Sequence, residues 1–155
     1  MSTLLIKQIT LVLSAGTIIS LLGIRVGLAA HNQKALQEMG SNQKDFAQFF
    51  KRIHRETPYL VLVTSGYRDA ETQKRLYRQN PQNAKPGHSP HQAKRAMDIN
   101  LISLHGLIRK ADSKEVWEAT GVPKIAEEMG FRWGGNFRNY HDPVHFDLPR
   151  SGLSK

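Results

Sequence analysis

Hydrophobic and polar positions divide the chain into segments of different period. From Gln8 to Ile24 the sequence has no charged residue, with Lys7 before it and Arg25 after it. Phe46, Phe49, Phe50 and Ile53 recur at i, i+3, i+4 and i+7, which predicts a helix with one apolar face. Asn42 stands where a cap belongs, and Thr57-Pro58 where the helix should end. The run Tyr59 to Thr64 is continuous and rich in β-branched residues, so it reads as a buried central strand. Asp69 then caps a helix reaching about Gln79, with Leu76 and Tyr77 facing inward. Residues 80–90 hold three prolines and a glycine and read as a loop. Ala96 to Ile102 alternates like a strand. Ser113 or Asp112 opens a helix that breaks near Gly121, and Pro123 starts another that ends at Gly130. Phe131 to Trp133 and Val144 to Leu148 are two more short strands. Helices and strands mix without a βαβ rhythm, which predicts an α+β fold.

The seventeen uncharged residues sit at the lower edge of a membrane span, which takes roughly 17–25. They slightly exceed the usual signal-peptide core of about 7–15. Residues 1–30 are therefore expected to be a signal peptide or a membrane anchor, with a buried core helix as the third reading. Residues 31–41 read as a polar linker or a first helical turn, 42–150 as the catalytic-type domain, and 151–155 as a tail.

Composition narrows the chemistry. The 155 residues contain no cysteine, which excludes disulfides, thiolate metal sites and cysteine nucleophiles. A metal site must then use the seven histidines together with Asp or Glu. The net charge is +9, and without Lys7 and Arg25 of the first thirty residues it is still +7, so the domain itself is basic. Such a balance suits a polyanionic neighbour: an anionic cell wall, an acidic membrane surface or nucleic acid. Nucleic acid is disfavoured, because aromatic and basic residues do not interleave and no recognition-helix pattern is present.

Ligand-type side chains concentrate in His88-Ser89-Pro90-His91, at Asp98, and in His141-Asp142 through Asp147. A hydrolytic zinc site needs three protein ligands and an open position for water. A further carboxylate must take the water's proton. His91 and Asp98 are seven apart, an odd separation, so the chain must bend between Gln92 and Arg95 for both to reach one ion. Asp142 and His145 are three apart around Pro143, which favours a turn leading into a strand. Asp147 is a competing carboxylate, otherwise a partner of His145. Arg68 reads by itself as a salt-bridge residue at a helix start. His31 and His105 have no sequence partner, and His54 reads as exposed.

Ser89-x-His91-x-x-x-x-Ala96-x-Asp98 resembles the S-x-H-x-x-G-x-A-x-D signature of a family of bacterial and phage zinc peptidases. Its members are D-alanyl-D-alanine carboxypeptidases, D-Ala-D-Ala dipeptidases and L-alanyl-D-glutamate endopeptidases. Trp133-Gly134-Gly135 followed by Asp142-Pro143-Val144-His145-Phe146 resembles the second signature, and Ser65-Gly66-Tyr67-Arg68 with Gln73 an earlier one. The likeness spans roughly Phe46 to Leu148. It implies the fold shared with the hedgehog domain, a small antiparallel sheet with flanking helices. It implies one Zn2+ on His91, Asp98 and His145, and Asp142 as general base. Arg68 would stabilise the oxyanion or hold a substrate carboxylate, assisted by Gln73. Ser89 would contact substrate or order the ligand loop, and Trp133 would line the cleft.

The use of Asp rather than Glu as base most resembles the L-alanyl-D-glutamate endopeptidases, phage endolysins among them, with D-alanyl-D-alanine carboxypeptidases as the alternative. The implied substrate is a peptidoglycan stem peptide, and the implied protein an exported monomer, periplasmic or at the cell surface, tethered to the membrane if residues 1–30 stay uncleaved. One departure stands out: Lys94 occupies the usual Gly position, where it could crowd the bend. That keeps open a non-catalytic, zinc-stabilised wall-binding domain.

Overall fold

A computed structural model describes residues 15–150. Five helices and five strands follow in the order α1 (Ala15–Gln37), α2 (Gln43–Glu56), β1 (Leu60–Ser65), α3 (Ala70–Gln79), β2 (Ala96–Ser103), β3 (Gly106–Ile108), α4 (Lys114–Ala119), α5 (Val122–Glu128), β4 (Arg132–Trp133) and β5 (His145–Asp147). The strands form one antiparallel sheet in the order β1-β2-β5-β4, with β3 beside the distal half of β2. The expected α+β class and its small antiparallel sheet are what the chain forms.

Along β2, Met97, Ile99 and Leu101 are buried while Asp98 and Asn100 are less so. The period of two thus sends one row into the core and the other toward a cleft. The core row meets the apolar face of α2. Phe49 stacks on Phe131 with ring centroids 4.9 Å apart and lies 5.3 Å from Phe146. Phe46 meets Phe131 edge-on at 5.1 Å. Trp117 of α4 closes the far side against Phe146. The helix caps follow the sequence: the Asp69 carboxylate accepts from the Thr72 amide, and the Ser113 hydroxyl accepts from the Val116 amide. Gly121 (φ 75°) breaks the chain between α4 and α5, and Gly130 (φ 83°) ends α5. Asn42 departs from expectation. It precedes α2 but makes no cap bond, and its side-chain amide instead donates to the Lys94 carbonyl.

Two expectations near the N-terminus are corrected. Residues 31–37 are not a linker, because α1 runs unbroken to Gln37 and is followed by a 3-10 turn over Gly40–Asn42. Nor is β1 central: it is an edge strand. Its apolar run reads as central because its free edge is covered by side chains rather than by another strand. Asn32, buried on α1, donates to the Val61 carbonyl (2.7 Å) and accepts from the Val63 amide (3.0 Å). His31 Nε2 lies 2.7 Å from the Val63 carbonyl, and the Val61 amide donates to His54 Nε2 at 3.2 Å. Edge groups that would recruit another chain are thus occupied. Residues 8–14 of the apolar segment fall outside the described residues, and residues 15–24 lie in α1. Among those described, no helix is long and apolar enough to cross a membrane.

Candidate metal centre and active site

Three chain segments bring the ligand set together. Asp98 on β2 pairs in register with His145 on β5, so the two side chains stand opposite each other on the cleft face. His91 comes from the turn before β2. The bend required between His91 and Asp98 is made at Lys94, the one non-glycine described residue with positive φ (55°). Lys94 therefore adopts the conformation for which the family pattern uses Gly. Its side chain is exposed, with the ammonium 5.0 Å from the Tyr67 ring centroid, and it is not among the cleft-lining residues. The expected crowding does not occur.

His91 Nε2 lies 3.2 Å from His145 Nδ1, His145 Nδ1 lies 3.0 Å from Asp98 Oδ1, and His91 Nε2 lies 3.2 Å from Asp98 Oδ1. Tetrahedral bonds of about 2.0–2.1 Å to zinc place ligand atoms roughly 3.3 Å apart, so this triangle has the dimensions of one face of such a site. Both imidazoles are oriented from behind. His91 Nδ1 is 2.8 Å from the Gly66 carbonyl, which can only accept, so Nδ1 carries the proton and Nε2 presents its lone pair. His145 Nε2 faces Asp147 Oδ2 at 3.1 Å, which leaves Nδ1 free to ligate. Asp147 is fully buried and held by Arg132, whose Nε and Nη2 lie 2.8 and 2.7 Å from Oδ1. It is the partner of His145, not a rival base.

Without a metal, burial alone would lower the His145 pKa, but hydrogen bonds to Asp147 and Asp98 raise it to about 9. Burial likewise opposes ionisation of Asp98, yet His145 and His91 hold its carboxyl well below the usual carboxylate range.

The Trp-Gly-Gly motif has a steric reason. A Cβ on Gly134 would sit 2.3 Å from the Asp142 carbonyl oxygen and 2.9 Å from His145 Cβ. One on Gly135 would sit 2.2 Å from the Trp133 ring. The glycines let the turn at Asp142 pack against β4, and the His145 amide donates to the Asp142 carbonyl at 3.0 Å to close it. That is the expected turn leading into a strand.

A cleft of about 300 Å³ opens over the triad. Asp142, Arg68, Gln73 and Ser89 all line it. Their engagements refine the expected roles. Arg68 donates through Nη2 to Asp98 Oδ2 (2.5 Å) and through Nε to the Ser65 hydroxyl (2.9 Å). Buried Gln73 donates to the Ala84 carbonyl at 2.7 Å, pinning the loop that leads to Ser89 and His91, while its Oε1 has no partner. Trp133 is corrected. It is 3% exposed, its indole N–H donates to the Pro143 carbonyl at 2.8 Å, and it belongs to the core rather than the cleft wall.

The sequence reading missed Lys110, in the loop after β3. Its Nζ lies 2.9 Å from Asp142 Oδ1 and 2.8 Å from the Tyr140 hydroxyl oxygen. Burial would lower the Lys110 pKa, but Tyr140 and Asp142 raise it above its ordinary value. A second cavity of about 270 Å³, between α1 and β1, is lined by Arg25, Asn32 and His54 among others but by no carboxylate, so it offers no acid–base pair.

A D-alanyl-D-alanine carboxypeptidase family model matches residues 82–148, which carry all three ligands and Asp142. The peptidoglycan L-alanyl-D-glutamate endopeptidase CwlK of Bacillus subtilis (strain 168) is 28% identical over 138 residues, covering 76% of this chain and 81% of its own. In fold, the chain is similar to the L-Ala D-Glu endopeptidase ChiX of Serratia marcescens, with a TM-score of 0.59, 21% identity, and 77% of this chain and 87% of that one covered. It is also similar to a mutant of the vancomycin resistance D,D-pentapeptidase VanY in complex with Zn(II), with a TM-score of 0.51, 21% identity, and 68% of each chain covered. Three motifs in order, a converged ligand triangle, the family-model match over residues 82–148 and the shared fold point the same way: the chain is similar to D-alanyl-D-alanine carboxypeptidases and L-alanyl-D-glutamate endopeptidases.

Proposed function

We propose that the protein is a zinc-dependent peptidase that cleaves peptidoglycan stem peptides at the L-alanyl-D-glutamate bond. The observation that carries the reading is the His91–Asp98–His145 triangle with a further carboxylate, Asp142, in the same cleft. Its likeness to CwlK favours the endopeptidase bond. The residues present fit one zinc ion: two imidazoles and one carboxylate, each oriented by a second group, with an open cleft above. A bound zinc supplies Lewis-acid chemistry, polarising a carbonyl and bringing the pKa of water toward about 7. Asp142 takes the proton of the attacking water and passes it to the amine that leaves. Arg68 fixes the second oxygen of Asp98, and its guanidinium has five N–H donors, so some remain for the developing oxyanion.

The basic surface suits an anionic wall. Residues 1–30 would export the domain or tether it outside the membrane, where it acts as a monomer. Mass spectrometry of peptidoglycan digested by the zinc-loaded protein tests the reading. A new free amine on D-glutamate is the expected product. Loss of terminal D-alanine would assign the carboxypeptidase activity that the family-model description suggests. No cleavage with zinc bound one-to-one would leave a wall-binding domain.

A further inference from the structure

We propose that Lys110 is a specificity residue that binds the α-carboxylate of the residue whose amine leaves. This rests on the peptidase reading and deepens it. Asp142 delivers a proton to the leaving nitrogen, so a cation 2.9 Å from Asp142 Oδ1 stands on the leaving-group side of the cleft. In a stem peptide, D-glutamate continues through its γ-carboxyl. Its α-carboxylate, free or amidated, therefore sits on the carbon that bears the leaving amine. A terminal D-alanine has the same arrangement, so the recognised chemistry is common to both bonds.

The other two cations lining the cleft are tied to Asp98 and Asp147, and the donors Arg68 keeps free are those assigned to the oxyanion. Arg68 holds Asp98 and Ser65 with a side chain only 16% exposed, and Arg132 places both Nε and Nη2 on the single oxygen Asp147 Oδ1. Lys110 differs. Its side chain is 55% exposed, and an ammonium has three donors. One reaches the Tyr140 hydroxyl, while Asp142 Oδ1 accepts no aligned hydrogen bond despite the short ionic contact. Donors remain for an incoming carboxylate. Tyr140, whose ring centroid is 5.0 Å from Nζ, steadies the ammonium at the cleft mouth.

The test compares two peptides that differ at one group: L-alanyl-D-glutamate with a free α-carboxylate, and the same peptide with that group amidated to D-isoglutamine. Both are presented to the zinc-loaded full chain, to Lys110→Met and to Lys110→Arg. The wild type should prefer the acid in kcat/KM by about tenfold to a hundredfold, the worth of one charge-assisted hydrogen bond. Lys110→Met should abolish that preference, and Lys110→Arg should restore part of it. Equal loss on both peptides with the preference intact would overturn the proposal, and would leave Lys110 as a positioning residue for Asp142. Calorimetric binding of the amine-side product peptide, acid against amide, separates the two readings. Acid-selective binding that disappears in Lys110→Met, without cleavage by the wild type, would sink the endopeptidase reading but keep this inference. Binding indifferent to amidation would remove the inference whatever the enzyme cleaves.

Discussion

Replacing Asp147 by Asn should weaken metal binding without unfolding the domain, and the reason lies in which nitrogen of His145 holds the proton. Nδ1 faces the triad at 3.0 Å from Asp98 Oδ1 and 3.2 Å from His91 Nε2, so ligation needs its lone pair. The proton must then sit on Nε2, where Asp147 Oδ2 accepts it. An asparagine is nearly isosteric, but Arg132 constrains its orientation. Both Arg132 nitrogens donate to the Oδ1 position, so the amide oxygen is drawn there and the NH2 group turns toward His145. Two donors cannot face each other. The imidazole must then become an acceptor at Nε2 and carry its proton on Nδ1, where the metal should bind.

Loss of such an outer partner costs about 10–100-fold in metal affinity, or roughly 1.4–2.7 kcal/mol. Zinc competition against a chromophoric chelator reads the affinity, and circular dichroism of the metal-free variant checks the fold. At a fixed zinc excess, the stabilisation zinc confers should shrink by the same amount. An affinity within about twofold of wild type, with the fold intact, would refute the tautomer argument, because the carboxylate behind His145 would then have no hold on its ligating nitrogen.

Asp142→Ala should retain zinc and the fold but lose about 10²–10⁴-fold in kcat, measured by release of D-glutamate amine; undiminished turnover would remove Asp142 from the proton path. In the metal-free protein, the raised His145 pKa contributes stability that is fully present below about 6.5 and is lost as pH rises through about 9. Thermal unfolding after chelation should therefore show a lower midpoint at high pH, with an upper bound of about 3 kcal/mol for this group, and a flat profile would contradict it. Asn32→Ala should destabilise the domain by about 2–4 kcal/mol, because it strips partners from two backbone groups of β1; chemical denaturation checks this, and a loss below about 0.5 kcal/mol would mean water replaces the amide.

The site was more legible than the architecture around it. His91, Asp98, Asp142 and His145 could be picked out because residue type, spacing and motif converge, and the required bend and turn are both present. Lys110 left no such trace. It enters the cleft only because β3, a strand of three residues, folds back on β2, and three residues give too little alternation to read. The central placement of β1 failed for a different reason: an apolar run records burial, and it does not record whether a strand or a helix side chain satisfies the edge. Asn32 and His31 satisfy it from a segment that reads as polar linker. Trp133 was misplaced because an aromatic beside two glycines suits a cleft wall as well as a packed indole. The decision rests on the Pro143 carbonyl, which is ten residues away in sequence.

The metal ligands and the leaving-group side are built on different kinds of support. Asp98 and His145 are partners across β2 and β5, so a slip of β5 by one residue would turn His145 away from the cleft and from Asp98. That pairing depends on a strand of only three residues. It is held by Phe146 in the core and by backbone bonds from Ile99 to Val144 (2.9 Å) and from Leu148 to Arg95 (2.8 Å). Metal affinity and folding are therefore coupled through β5. Lys110 hangs on an exposed loop, tied to the rest by Tyr140 and Asp142 alone among its described polar contacts. Substitutions at Lys110 should therefore change the preference for a free over an amidated α-carboxylate with little effect on the metal triangle.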